Sequence, residues 1–193
     1  MFVSLVACSG GQEPAPTTVA PDGFVVMSDA KEGLAVAVPS TWIRIPLSYN
    51  PAVFDKDANE LRKNNPKLAS ILSQARLLGQ SQGKFMAVAP DGVANVNLTV
   101  DKPKEKTIEE IITNSITGLK NFGASNVAQE PTTLAGKPGV KLTFRLPVNT
   151  DAGDVPTDES QYYLLQNKQA YILTVAAAPA AVANAIAASF RLR

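Results

Sequence analysis

Residues Gly79-Gln-Ser-Gln-Gly83 spell G-x-S-x-G, the pattern that sets a nucleophilic serine at a sharp turn. Such a turn needs a strand entering the serine, a helix leaving it, and a base to take its proton. Here a helical pattern enters and a strand pattern leaves, and the 193 residues include no histidine. Ser81 and Lys84 also form S-x-x-K, in which a lysine serves as base. The same spacing recurs at Ser28 and Lys31, and neither S-D-N nor K-T-G accompanies it. As a phosphate loop, the string from Gly79 to Phe85 is one residue short and lacks the closing Ser or Thr. The segment reads as a glycine-rich connection from helix to strand.

Two charged groupings and one aromatic set remain. Asp151, Asp154, Asp158 and Glu159 lie in a Gly/Pro-containing stretch, but their spacing does not match a calcium loop, and a solvated hairpin loop is expected. Lys102, Lys104 and Lys106 could touch anionic headgroups, yet such an alternation ordinarily just precedes a helix. Trp42, Tyr162, Tyr163 and Tyr171 are the candidates for a binding surface, a groove on a half-exposed sheet; core packing competes with that reading. No catalytic, cofactor-binding or metal-ligating set is assigned.

Composition narrows the classes further. Without histidine the chain lacks the side chain best suited to proton transfer near neutral pH and the commonest metal ligand. A single cysteine rules out an intrachain disulfide and a thiolate metal cage. Eighteen basic and seventeen acidic residues leave a net charge of +1, so no overall field favours nucleic acid. An apolar fraction of 45% and a length of one ordinary domain allow a substantial core.

The cysteine has a context of its own. Leu5, Val6, Ala7 and Cys8 resemble a bacterial lipobox, which implies lipid on Cys8. A small, polar, Pro-rich stretch follows, expected as an extended tether over 8–23. A diacylglyceryl group there supplies two acyl chains, enough for stable anchoring, whereas six apolar residues cannot span a bilayer. Residues 1–7 read as a truncated signal-peptide remnant, because a basic segment and a longer apolar run would precede the cleavage site. The chain is therefore expected to be exported and held at the outer face of the cell membrane.

From Phe24 the chain alternates between two periodicities. Leu34, Val36 and Val38 alternate with alanines; Val96, Leu98 and Val100 alternate with Asn95, Asn97, Thr99 and Asp101; Val140, Leu142, Phe144 and Leu146 alternate with Lys141, Thr143 and Arg145. Period-two patterns of this kind predict an antiparallel sheet with one face wet. Hairpins are expected at Asp91-Gly92, at Gly136 to Gly139 and at Asn167 to Gln169. Thr107 and Glu110 form a capping box before Ile108, Ile111, Ile112, Ile116, Leu119 and Phe122. Further helices are expected from Asn65-Pro66 to Gly79, over 58–64, and from Pro179 through Phe190. The sum is an α+β fold, a mainly antiparallel sheet of six or seven strands layered with three or four helices in one domain, 24–193.

The segment Gly33-Leu-Ala-Val-Ala-Val-Pro-Ser-Thr-Trp42 resembles the opening of PsbP-like domains, a superfamily that includes the Ran-binding Mog proteins. The closing Tyr171-Ile-Leu-Thr-Val, a helix, and Ala-Ile-Ala-Ala-Ser-Phe-Arg191 are similar to the end of that fold. With the lipobox, the chain looks like actinobacterial lipoproteins of the LpqN/LpqT type. That resemblance implies an α/β/α sandwich and a non-enzymatic module binding an envelope or extracellular protein, without cofactor. A carrier of an acyl chain and an enzyme working through carboxylates alone are the competing readings.

Overall fold

The structure, a computed structural model, describes residues 15–193 apart from 49, 81, 151 and 152. Cys8, the signal remnant and the first half of the tether, Ser81 and Asp151 therefore lie outside the described residues. The strands are β1 (Phe24–Asp29), β2 (Leu34–Pro39), β3 (Ile43–Arg44), β4 (Gly83–Val88), β5 (Asn95–Asp101), β6 (Ser125–Leu134), β7 (Lys137–Thr150), β8 (Gly153–Gln166), β9 (Gln169–Ala176) and β10 (Arg191–Leu192). The helices are α1 (Pro51–Asn64), α2 (Ala69–Gln80), α3 (Ile108–Asn121) and α4 (Ala180–Ser189).

Seven strands form one antiparallel sheet in the order β3-β4-β5-β9-β8-β7-β6, and β1-β2-β10 form a second. The front of the large sheet carries the small sheet and α4. Leu34, Val36 and Val38 pack there with Trp42, Phe85, Leu98, Leu173, Ile186 and Phe190. The back carries two separate helical coverings. Helices α1 and α2 seal Ile45, Met86 and Val88 at one end, while α3 seals Leu142, Phe144 and Tyr163 at the other. This is the layered α+β fold that the alternating patterns predict, with a small sheet sharing the front layer with α4.

Local chemistry sets the element ends. Thr107 accepts from the Glu110 N–H at 3.2 Å while the Glu110 carboxylate accepts from the Thr107 N–H at 3.2 Å, closing the capping box on α3. The helix expected from about residue 58 starts earlier, at Pro51, where the Asn50 side chain accepts from the Ala52 N–H at 3.0 Å. Past Asn65 the chain first makes one 3-10 turn, Pro66–Leu68, and then α2, which runs through Gly79. Two hairpins turn on residue pairs with positive φ, Ala135-Gly136 and Asn167-Lys168, matching the twist of their strands.

The acidic stretch expected as a solvated hairpin loop is corrected by the pairing: β7 and β8 stay in register as far as Thr150 opposite Gly153. Beyond Arg145 the β6 pairing has ended, and beyond Glu159 the β9 pairing has ended, so the last residues form a two-stranded ribbon. Pro147 and Pro156 face each other there, where a missing N–H leaves no neighbouring strand unpaired.

The small sheet is stapled to the large one. Arg44 donates to the Ser28 carbonyl at 2.9 Å and to Asp29 at 2.8 Å, and its guanidinium lies 5.6 Å from the Phe85 ring centre. Lys84 pairs with Glu32 at 3.3 Å. The stretch expected as a free tether to residue 23 is pinned earlier, because the Thr18 hydroxyl donates to the Ser189 carbonyl at 2.6 Å.

Candidate functional site

The aromatic surface expected from Trp42, Tyr162, Tyr163 and Tyr171 is divided by the fold. Trp42 and Tyr162 are buried in the front core, Tyr163 is buried in the back core against α3, and Tyr171 is half-buried at the front. Adjacent residues of a strand point to opposite faces, so Tyr162 and Tyr163 cannot share a groove. Their hydroxyls nevertheless mark where each face stays polar.

On the front, α4 lies across β6, β7 and β8. The Tyr162 hydroxyl donates to Asn184 Oδ1 at 2.9 Å, and Lys141 Nζ donates to the same oxygen at 3.2 Å. Lys141 pairs with Glu130 at 2.8 Å and stands 5.7 Å from the Tyr162 ring centre. Burial pushes the Tyr162 hydroxyl up to about 12; a hydrogen bond from Ser160 opposes the shift and the nearby Glu130 charge adds to it. The tyrosine thus keeps its proton and acts as a fixed donor. Lys141 belongs to the face expected to be wet, yet its side chain is only 12% exposed, because α4 covers it.

Beside this chain of contacts opens a cleft of about 470 Å³, bordered by Thr143, Arg145, Asp158, Ser160 and the Pro179-Ala180 start of α4. Arg145 Nε donates to Asp158 at 2.6 Å. A second cleft, about 330 Å³, lies between α1 and α2 over Phe54, Ala58 and Leu72, rimmed by Arg62 and Arg76. A third, about 650 Å³, is an open depression at the start of α3 among Lys104, Lys106, Glu109 and Glu110. Each is open to solvent and edged by charged side chains.

On the back, a polar strip crosses β5, β9 and β8 between the α1–α2 and α3 coverings. Asn97, Thr174 and Gln161 lie in one row, and Asn95, Ala176 and Glu159 in the next. Tyr163 donates its hydroxyl to Gln161 Oε1. Asp158 and Glu159 are consecutive in a regular strand and point to opposite faces, so the carboxylates do not converge. Among the described residues no group of three or more His, Cys, Asp or Glu could hold a metal ion, and no helix is long and apolar enough to cross a membrane.

Sequence reasoning missed Asn184, Ser160 and the cleft. Lys141, Thr143 and Arg145 were visible as a polar alternation, but nothing in their spacing says that a helix forty residues later in the chain would lie on them.

No protein-family profile matches the sequence, and no curated protein matches it. Solved structures do. The solution structure of cyanobacterial PsbP from Synechocystis is similar over 95% of this chain and 100% of that one, at 14% identity and a TM-score of 0.56. The crystal structure of LpqN from Mycobacterium tuberculosis, described as involved in cell envelope biogenesis, is similar over 91% of this chain and 89% of that one, at 12% identity and a TM-score of 0.45. The chain has the PsbP-like fold.

Proposed function

We propose that this chain is an exported protein, held at the outer face of a membrane by lipid on Cys8, whose domain binds another protein without transforming it. The observation that carries the reading is the front cleft. Its rim holds the Arg145–Asp158 pair, and beside it stands a set of contacts already fixed, Glu130 to Lys141 to Asn184 to Tyr162, in which the tyrosine keeps its proton. Fixed donors and acceptors recognise a surface at little ordering cost; they do not take up protons from it. An acyl carrier would need an enclosed apolar cavity, whereas the clefts described are open and polar-rimmed. A carboxylate enzyme would need two converging acids, and Asp158 and Glu159 diverge.

Binding is tested by placing a photocrosslinking residue at Thr143 in the full-length protein in its native envelope. One specific adduct is expected, reduced by Arg145→Glu, which reverses the charge at the cleft rim. A protein that yields no adduct there, or the same adducts with the charge reversed, does not use this surface. Anchoring is tested separately with Cys8→Ser, which should move the folded protein from the membrane fraction to the soluble one.

A further inference from the structure

The fold gathers lysines from separate turns at one end of the large sheet. Asp101 faces Ala170, Gln166 faces Gln169 and Leu134 faces Lys137, so the end of β5, the β8–β9 turn and the β6–β7 turn share that end. Glu32 in the β1–β2 turn reaches Lys84 at the start of β4 at 3.3 Å, which brings the small sheet's turn to the same place. Lys31, Lys102, Lys104, Lys106, Lys137 and Lys168 stand there, all exposed. Lys102 leaves β5 and Lys137 opens β7, three strand spacings or about 15 Å apart in the sheet.

Their charges are not cancelled locally. None of the six pairs with a carboxylate within the described chain. With Lys84, and with Arg191 and Arg193 beside the β1–β2 turn, nine basic side chains occupy this end, against the acids Glu32, Asp101, Glu105, Glu109 and Glu110. The whole chain has a net charge of only +1, so the rest of it is net acidic and the positive excess is confined to one pole.

We propose that this basic pole rests on an anionic lipid surface, with the lysines of its turns among the headgroup phosphates. The anchor selects lipid over other polyanions. Cys8 stands ten residues before Thr18, a reach of at most about 35 Å, and Thr18 is fixed to Ser189, just ahead of the strand that runs to Arg191 and Arg193. A domain on so short a tether meets the bilayer continually. Each lysine brought close to an anionic surface tightens the contact by about fivefold, an attraction that salt screens. The acyl chains hold the domain and the lysines turn it. The front cleft lies at the opposite ends of β7, β8 and β9, and so points away from the lipid. The inference rests on the anchored reading and adds the domain's orientation.

The test uses the full-length protein with Cys8→Ser, so that headgroup attraction is read without acyl chains, sedimented with vesicles of phosphatidylglycerol and phosphatidylcholine in equal parts or of phosphatidylcholine alone. At low ionic strength the mixed vesicles should bind it and the neutral ones should not, and about 0.5 M salt should release it. The triple variant Lys102→Gln, Lys104→Gln, Lys106→Gln, folded by circular dichroism, should bind about tenfold more weakly or worse. Lys63→Gln, Lys67→Gln, Lys120→Gln removes the same charge from the opposite end, where Asn65 reaches the Pro90 carbonyl and α3 stops, and should bind as the parent does. Equal losses in the two triple variants, no binding to the mixed vesicles, or binding to polyglutamate but not to lipid would overturn the proposal. Release from the membrane fraction by Cys8→Ser in cells decides the anchor separately, so either reading can fail while the other stands.

Discussion

Ser189 does for Ala37 what a neighbouring strand would do. Strand β10 pairs Leu192 with Leu34 and Arg191 with Ala35, and the same register carried on past Phe190 sets Ser189, already helical, opposite Ala37. Its Oγ accepts from the Ala37 N–H at 2.8 Å and donates to the Ile186 carbonyl at 2.7 Å, with the Ala37 carbonyl at 3.3 Å. Helix α4 is thereby fixed to the small sheet by one buried hydroxyl.

Ser189→Ala leaves a buried N–H without a partner, and the expected loss is about 1 to 3 kcal/mol. Urea unfolding measures it. A midpoint unchanged from wild type would mean that water replaces the hydroxyl.

Tyr162 should ionise last among the described tyrosines, Tyr162, Tyr163 and Tyr171. Its pKa is raised to about 12 in the fold, so the folded state holds the proton more tightly than the unfolded chain between about pH 10 and 12. Stability from this group is fully present below pH 10 and falls as pH rises through that window. Tyr162→Phe should flatten the alkaline unfolding curve there and cost about 1 kcal/mol at pH 7 through the lost bond to Asn184. Phenolate absorbance against pH reads the ionisation, and urea unfolding of both proteins at pH 7 and through the alkaline window reads the stability.

Glu159 works in the acid range with the same sign. Its pKa is raised by burial, so the charged form burdens the fold above that raised value, and stability improves as pH falls through it toward the unfolded value. Glu159→Gln should raise Tm at pH 7, because it removes the charge that burial penalises. Near pH 3 the gain should vanish. Equal gains at both values would point to packing instead of charge.

Two glycines with similar φ should behave differently. Gly92 has φ +78°, and a Cβ there would stand 2.3 Å from the Lys67 carbonyl oxygen; Gly136 has φ +74° and open space. Gly136→Ala should cost about 1 kcal/mol for backbone strain alone, and Gly92→Ala at least twice that. Denaturant midpoints compare them, and equal losses would mean that the α1–α2 connection yields.

The sheet, its hairpins and its helices were legible because each rests on local chemistry: alternation in β5 and β7, the Thr107 box, the Asn-Lys turn. What alternation could not disclose is which way it points. In β5 the apolar residues Val96 and Leu98 face the front core, while in β7 Leu142 and Phe144 face the back. The cover changes sides across the sheet, and β8, where the two covers overlap, buries Tyr162, Tyr163 and Leu164 in succession. Three consecutive buried residues broke the pattern that made Tyr162 and Tyr163 look like surface candidates. Asn184 was invisible for a related reason: its partners Lys141 and Tyr162 come to it only through the course of α4, which no short window of sequence contains.

Strand β6 is the margin of the large sheet, paired on one side only, and Pro131 stands in its middle opposite Val140. A residue with no N–H to offer interrupts the row that another copy of the chain would need in order to zip on alongside. However densely such molecules are crowded, that margin resists zipping edge to edge into a continuous ribbon through β6.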